Sequence, residues 1–499
     1  MSIPPTLTVE RHLASGPNVT PIEASVRRSI GEHHALHPDT PMAASRRHDL
    51  DALRGFAMLL GIGLHVALSF FPNIWPVQDQ TSTVDGPFDE LFHAVHGFRM
   101  PLFFLLSGFF TSMLWRRRGL RALLWHRFRR IVLPLAIVLI VLVPIAIFVT
   151  QQAFAPLTAV TDGDNVLLTV AVRDGGFALT WFDNLGHLWF LWFLVWFGAG
   201  FAIVAAALER LHTSRRQRVD AWLRWLMWSI VPFTLLGQWL MGERGEIPVF
   251  GPDTSLGLIP LPHVFGYYAL FFVFGALLFE RSNRNGEFLV DTLGRRWRIT
   301  LPVAILVVFP LALSLTFAGE NPSWELATAA QSAYTWTMSI GLIGLFRSIF
   351  WTERRGVRYL SDASYWMYLA HIPLVIVAQM LVRDWNIAAV FKFGLISVTV
   401  SALLLITYQR FVRYTPIGTL LNGKRTRPAT LDHRGAEARE VHDVQLRCLL
   451  LPHLNIAPGA LVESRGVEGK GRSECWLRRQ SVAHGRSPAL QPDGHSARQ

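Results

Sequence analysis

The sequence predicts an all-α integral membrane protein of about ten transmembrane helices, with both termini in the cytoplasm. Three observations predict it. Apolar stretches of the roughly 20 residues that cross a bilayer recur at 52–72, 91–114, 131–150, 182–208, 220–242, 263–279, 299–318, 327–350, 363–382 and 387–412. Hydrophobic residues make up 51% of the chain and charged residues 16%, whereas soluble domains run near 25% charged. The positive charge is also lopsided. With the N-terminus inside, the inner loops 115–130, 209–218, 280–298 and 351–362 carry 19 Lys and Arg, and the outer loops three. Cytoplasmic loops hold the excess of Lys and Arg, which sets the orientation.

That distribution accounts for much of the net charge of +12 without a nucleic-acid partner; the partner it implies is the lipid bilayer. Residues 1–46 are polar, lack the apolar core of a signal peptide, and read as a flexible cytoplasmic arm. The membrane domain occupies 47–424. Residues 425–499 hold one Trp, no other aromatic side chain of the Phe, Tyr or Trp type, and no spanning run, and read as a disordered basic tail. Cys448 and Cys475 both fall there, so neither a disulfide framework nor a CxxC metal signature exists.

The first apolar run, within RRHDLDALRGFAMLLGIGLHVALSFFP, holds His65 well inside it. Ionisable groups at that depth are costly and mark function by default. Arg54 and His65 are eleven residues apart, about three helical turns plus roughly 20°, so they share one stripe about 16 Å long. Gly61 lies on that stripe, Ala57 and Met58 flank it, and Asp51 sits at its edge, placed to pair with Arg54. Small residues there leave a groove for a long, thin ligand with an anionic head; they also suit helix–helix contact.

The second run reads LFHAVHGFRMPLFFLLSGFFTSML. His93, His96 and Arg99 follow at i, i+3, i+6 on one side of its outer half, and Ser107 is on the stripe of His96 nearer the cytoplasm. An arginine so deep needs a partner or water, which implies a polar cavity. His187 opens the fourth run just before Trp189, His263 opens the sixth, and His371 lies within the ninth. His65, His93, His96, His187 and His263 all fall in the outer half, so the site faces outwards, with His93 and His263 read as interfacial or hydrogen-bonded. Tyr365, Tyr368 and His371 read as structural. The histidine spacing lacks HExxH and no close carboxylate set accompanies it, so no metal is expected.

The loop after the second run, WRRRGLRALLWHRFRRIVLP, carries seven arginines in its first 16 residues. RFRR sets Arg127 and Arg130 three apart, on one helical face. Guanidinium forks match phosphate oxygens, so a nucleotide-bearing donor such as coenzyme A would find its charge partner here.

Across about residues 46–415 the chain resembles membrane acyltransferase family three. The resemblance rests on Arg54 and His65 with ten residues between them, on the RxxR of Arg127–Arg130, and on GHLWFLWFL and YLSDASYWMYLAHIPL. HGFRMPLFFLLSGFF looks most like the members that succinylate periplasmic glucans. The tail beyond 425 has no counterpart. The resemblance implies a bacterial inner-membrane O-acyltransferase. It would move an acyl group, succinyl in that subgroup, from cytoplasmic acyl-CoA to hydroxyls of an exported or periplasmic glucan. Acyl-CoA would be a donor substrate, and no cofactor would be bound permanently. His65, Arg54, Arg99 and His96 would be catalytic. Arg54, Arg127 and Arg130 would hold acyl-CoA, and His187, Trp189 and Ser107 the acceptor. Other readings are an O-acetyltransferase of another surface polysaccharide or glycolipid, a polytopic transporter, and a non-catalytic sensor. A transporter would favour internal repeats and broken helices, which the sequence does not display.

Overall fold

A computed structural model describes residues 47–71, 75–83, 86–158, 185–211, 213–241, 250–281, 288–317, 323–423 and 425. The expected arm at 1–46 and, Arg425 apart, the expected tail at 425–499 lie outside the described residues. The described chain is helical, with no β-strand. We number the helices α1 (His48–Ala67), α2 (Pro87–Arg127), α3 (Leu133–Thr158), α4 (Trp189–Arg210), α5 (Thr213–Trp239), α6 (Pro262–Glu280), α7 (Leu289–Gly294), α8 (Trp297–Val303), α9 (Phe309–Thr316), α10 (Trp324–Ile349), α11 (Arg355–Val382), α12 (Ala389–Thr407) and α13 (Pro416–Asn422). π-helical turns at Phe128–Val132, Ala304–Val308 and Tyr408–Val412 continue α2 into α3, join α8 to α9, and extend α12.

Among the described residues, seven helical stretches are long and apolar enough to cross a membrane. One of them, Pro87–Ala153, is 67 residues long, about three times what one crossing needs. It is broken at Gly119, whose φ of 77° is open to glycine and strained for other residues. Helices α5 and α10 cover the predicted runs at 220–242 and 327–350, apart from their ends, but are not among the seven.

Large apolar side chains cover the outside of the bundle. Ile140 on α3 is 70% exposed, Trp225 on α5 86%, and Val398 on α12 69%. Water would penalise such a surface, and lipid does not. Inside, aromatic rings interlock: Phe104 of α2 packs against Trp189, Phe193 and Phe197 of α4 and Tyr268 of α6.

Close packing of α2 on α6 has a simple cause. A Cβ at Gly108 would overlap the Phe272 carbonyl, and one at Gly275 the Leu105 carbonyl. Two glycines facing opposite backbones let the helices touch, the small-residue contact common in membranes. Helix α1 is anchored at its start. Asp49 and Asp51 lie in its first turn, where the positive end of the helix dipole favours carboxylates. Arg47 donates to Asp49 and to Asp291 of α7, each at 2.7 Å. Further along, Ser361 of α11 donates to the Asp51 carbonyl at 2.8 Å, and Gly55 rests on Ser361. This close α1–α11 seam sets up the site.

Proline shapes α2 and α11 from within. Pro101 has no N–H to give the Gly97 carbonyl; the Thr335 hydroxyl donates to that carbonyl instead, at 2.7 Å. Pro373 likewise leaves the Leu369 carbonyl without its helical donor, and the His187 ring hydrogen-bonds it.

Candidate active site

Four segments converge on one cavity of about 50 Å³, enough for one or two water molecules. Ala57, Met58, Gly61 and His65 come from α1, and Arg99, Met100 and Phe103 from α2. His187, Trp189 and Phe190 come from the start of α4 and the 3₁₀ turn before it, and Tyr368 and His371 from α11.

The polar groups in this cavity are tightly connected. Nδ1 of His65 lies 3.0 Å from Nε2 of His371, and Nδ1 of His371 lies 2.7 Å from the Tyr368 carbonyl. The Tyr368 hydroxyl donates to the His187 carbonyl at 2.5 Å. The His187 and His371 rings stand edge to face, 5.2 Å apart. From the opposite side of His65 along the chain, the segment after α1 folds back. The Trp75 ring lies 5.6 Å from the His65 ring, and its Nε1 donates to Gln379 Oε1 at 2.7 Å. Gln379 in turn donates to the His65 carbonyl at 3.1 Å. Asp79 pins the same segment. Lys392 of α12 reaches both its carboxylate oxygens, at 3.0 and 2.9 Å, and neither residue sees solvent appreciably.

Arg99 is the cation of the cavity. Its guanidinium presses against α1 at Gly61: a Cβ there would collide with Nη1. Among the described residues, no acidic side chain lines the cavity and Arg99 Nε is buried without a hydrogen-bond partner. His187 Nε2 is in the same condition. A buried cation without an anion is unfavourable, and an anionic or developing oxyanionic group of a bound substrate relieves it. Among the described residues no group of three or more His, Cys, Asp or Glu is arranged to hold a metal ion.

A second polar cluster lies where α1, α2 and the π turn after α2 meet. Arg127 donates to the Thr111 hydroxyl and, at 3.5 Å, to the Ser107 carbonyl, while its Nε is buried without a partner among the described residues. Tyr365 holds the Arg130 carbonyl at 2.8 Å. Arg54 is 41% exposed, 3.6 Å from Asp51 and over the Phe110 ring. It is near enough to Arg127 and Arg130 to repel both. Guanidiniums held together against repulsion have the chemistry to bind a polyanion.

The structure thus divides the residues singled out from sequence. His65, Arg99, His187 and Trp189 share the cavity, and Arg54, Arg127 and Arg130 share the arginine cluster, with Ser107 beside it. His96 does not line the cavity: it stacks on Phe92 at 5.1 Å, hydrogen-bonds the Pro252 carbonyl and packs against Gly251. His93 pairs with Asp89 at 2.9 Å. The i, i+3, i+6 spacing explains the divergence, because each step of three residues rotates about 60° backwards. Arg99 therefore faces about 120° away from His93. Tyr368 and His371, read from the sequence as structural, line the cavity. The signal for His371 was its position deep in an apolar run; the sequence does not say which histidine it meets.

The model of acyltransferase family three, described as an acyltransferase domain, matches residues 47–406. Proteins named glucans biosynthesis protein C from Salmonella paratyphi B (strain ATCC BAA-1250 / SPB7), Salmonella agona (strain SL483) and Salmonella enteritidis PT4 (strain P125109) are each 27% identical over 396 residues. The alignments cover 76% of this chain and 96% of each relative. No solved structure matches. With the family model matched from the first residue of α1's anchor to the end of α12, this multi-pass membrane protein belongs to acyltransferase family three and is an acyltransferase.

Proposed function

We propose that the protein transfers an acyl group, succinyl in the first instance, from cytoplasmic acyl-CoA to a hydroxyl of an exported or periplasmic glucan. It does so in the bacterial inner membrane, through about ten spans with both termini in the cytoplasm. The observation that carries the proposal is the pairing of two sites on the Arg54–His65 stripe. One end meets a cluster of arginines, and the other meets an imidazole and an unneutralised guanidinium in a small cavity. A thin thioester arm with a phosphate-rich head joins two such sites. The glucan acceptor follows from the names of the relatives, and the succinyl group from the need of Arg99 for an anion.

In this reading Arg54, Arg127 and Arg130 hold the phosphates of the donor, with the pantetheine arm passing Met58 and Gly61. His65 takes the proton of the acceptor hydroxyl as its oxygen attacks the thioester carbonyl. Arg99 stabilises the oxyanion of the tetrahedral intermediate, or binds the free carboxylate of a succinyl group. His187 and Trp189 orient the sugar. Thr111 and the Ser107 carbonyl fix Arg127, which puts Ser107 at the donor end of the path. His96 supports the backbone around Gly251.

The test uses inverted membrane vesicles loaded with de-esterified glycan. They receive [¹⁴C]succinyl-CoA or [¹⁴C]acetyl-CoA outside, at the face that was cytoplasmic. Label esterified to lumenal glycan, with free CoA appearing outside, is the expected result. A preference for succinyl that disappears in Arg99→Gln supports carboxylate binding; equal loss with both donors supports the oxyanion role. Label entering the lumen without ester formation would refute transfer and favour transport.

A further inference from the structure

His65 and His371 are 306 residues apart in sequence, yet their rings are in hydrogen-bond contact. A neutral imidazole has one donor and one acceptor nitrogen. Nδ1 of His371 faces the Tyr368 carbonyl at 2.7 Å, and a carbonyl only accepts, so that nitrogen carries the proton. Nε2 of neutral His371 is then an acceptor. The atom facing it at 3.0 Å, Nδ1 of His65, must donate. The lone pair of neutral His65 is therefore on Nε2. The opposite assignment would set a lone pair of His371 against the lone pairs of a carbonyl oxygen.

We propose that His371 is a positioning residue that holds His65 in the tautomer whose Nε2 is the free base. The proposal rests on the acyl-transfer reading of His65. The device is local to α11: Tyr368 and His371 are one helical turn apart, so the carbonyl that sets the His371 tautomer is fixed by the helix itself. Gln379, also on α11, donates to the His65 carbonyl and holds the backbone of the same residue. An imidazole suits this place better than a carboxylate. A carboxylate here would lie within Coulombic reach of Arg99 and would take up the charge that a substrate anion is to meet, whereas His371 accepts the bond without adding a charge.

The consequence for the reaction is specific. As the acceptor oxygen bonds to the thioester carbon, its proton moves to Nε2 of His65 and the carbonyl electron pair moves onto oxygen near Arg99. Collapse restores the carbonyl, breaks the carbon–sulfur bond, and returns the proton from Nε2 to the departing thiolate. One ester forms and one thioester is lost. Throughout, Nδ1 of His65 donates to His371, which ends as it began.

The test compares His371→Phe, which removes the imidazole acceptor and leaves the His65 ring the Gly61 carbonyl of its own helix, with His371→Gln, which keeps an acceptor amide oxygen at similar reach. His371→Asn, polar but too short to reach His65, replaces the Phe variant if that does not accumulate. Each is measured in membranes with [¹⁴C]succinyl-CoA and [¹⁴C]acetyl-CoA, beside wild type and His65→Ala, after thermal melting confirms folding. The expected result for His371→Phe is a fall in kcat of about 100-fold, within the range of general-base catalysis. The KM for acyl-CoA is expected to stay within about threefold, because only a reacting-state interaction is lost. His371→Gln recovers most of the rate. A wild-type rate in His371→Phe, or equal loss in the Phe and Gln variants, overturns the positioning role. Full activity of His65→Ala instead overturns the reading of His65 itself, whatever His371 does.

Discussion

Gly61→Ala is predicted to cost about 100-fold in kcat while leaving the protein at least as stable as wild type. The added methyl would collide with Arg99 Nη1, and it would lie 3.4 Å from Arg99 Cζ. Normal van der Waals separation requires the guanidinium to withdraw by about 1 Å. A misplacement of about 1 Å in a catalytic group can cost about 100-fold, or about 2.7 kcal/mol of transition-state stabilisation. Helix propensity acts in the other direction, since alanine stabilises a helix interior by about 1 kcal/mol relative to glycine. The two effects separate in experiment. Initial rates in membranes over a range of acyl-CoA concentrations give kcat and KM, and a thermal melt in detergent gives stability. KM for acyl-CoA is expected to change little, because Arg54, Arg127 and Arg130 are untouched. A kcat within about threefold of wild type, alongside an inactive Arg99→Ala, would show that the Arg99 position at Gly61 is not what catalysis uses.

Other consequences follow from the same geometry. Arg127→Gln or Arg130→Gln should raise the KM for acyl-CoA about tenfold, the scale of one charge-assisted phosphate contact, with little change in kcat; saturation curves that show the reverse pattern contradict a donor role. Lys392 is fully buried against Asp79, so Lys392→Met should destabilise the protein by about 3–5 kcal/mol by stranding a carboxylate. Adding Asp79→Leu should recover much of that loss in a detergent melt, and a single variant that melts like wild type rules the account out. Pro373→Ala returns a backbone N–H to the Leu369 carbonyl, in competition with the His187 ring. Acceptor KM should rise several-fold without loss of helix stability, and an unchanged KM would remove His187 from the acceptor site.

Much of the membrane architecture was legible because apolar length is a local signal. The structure puts helix on most of the described residues of each predicted run, yet it also shows what a run conceals. The stretch 299–318 reads as one segment, and it folds as α8, a π turn at Ala304–Val308, and α9. Backbone phase within an apolar run has no side-chain signature. The run at 91–114 reads as a simple span, whereas α2 continues to Arg127 past the break at Gly119.

The site was legible to the extent that a single helix defines it. The Arg54–Gly61–His65 stripe needs only helical periodicity, and Ala57 and Met58 do border the cavity. Arg99 and His187 stood out as costly polar groups in apolar surroundings. The contact of His65 with His371 was hidden because two helices 306 residues apart must meet before either ring has a partner. Trp75 and Gln379 were hidden for the same reason, since neither is ionisable and both act across the α1–α11 seam. His96 shows the converse limit. Three residues spaced by three look co-facial over one turn, and over two turns they fan apart, leaving Arg99 in the cavity and His96 against Gly251.

The central claim, that His65 is the base of an acyl transfer to glycan, is tested most directly in three bacterial strains. One lacks the protein, one carries wild type, and one carries His65→Ala at matched membrane levels. Ester-linked acyl groups on extracted periplasmic and surface glycans are measured by mass spectrometry. The account predicts an ester, of succinyl mass, that returns with wild type and is missing with His65→Ala. Full restoration by His65→Ala, or no change of glycan ester in any strain, would contradict it.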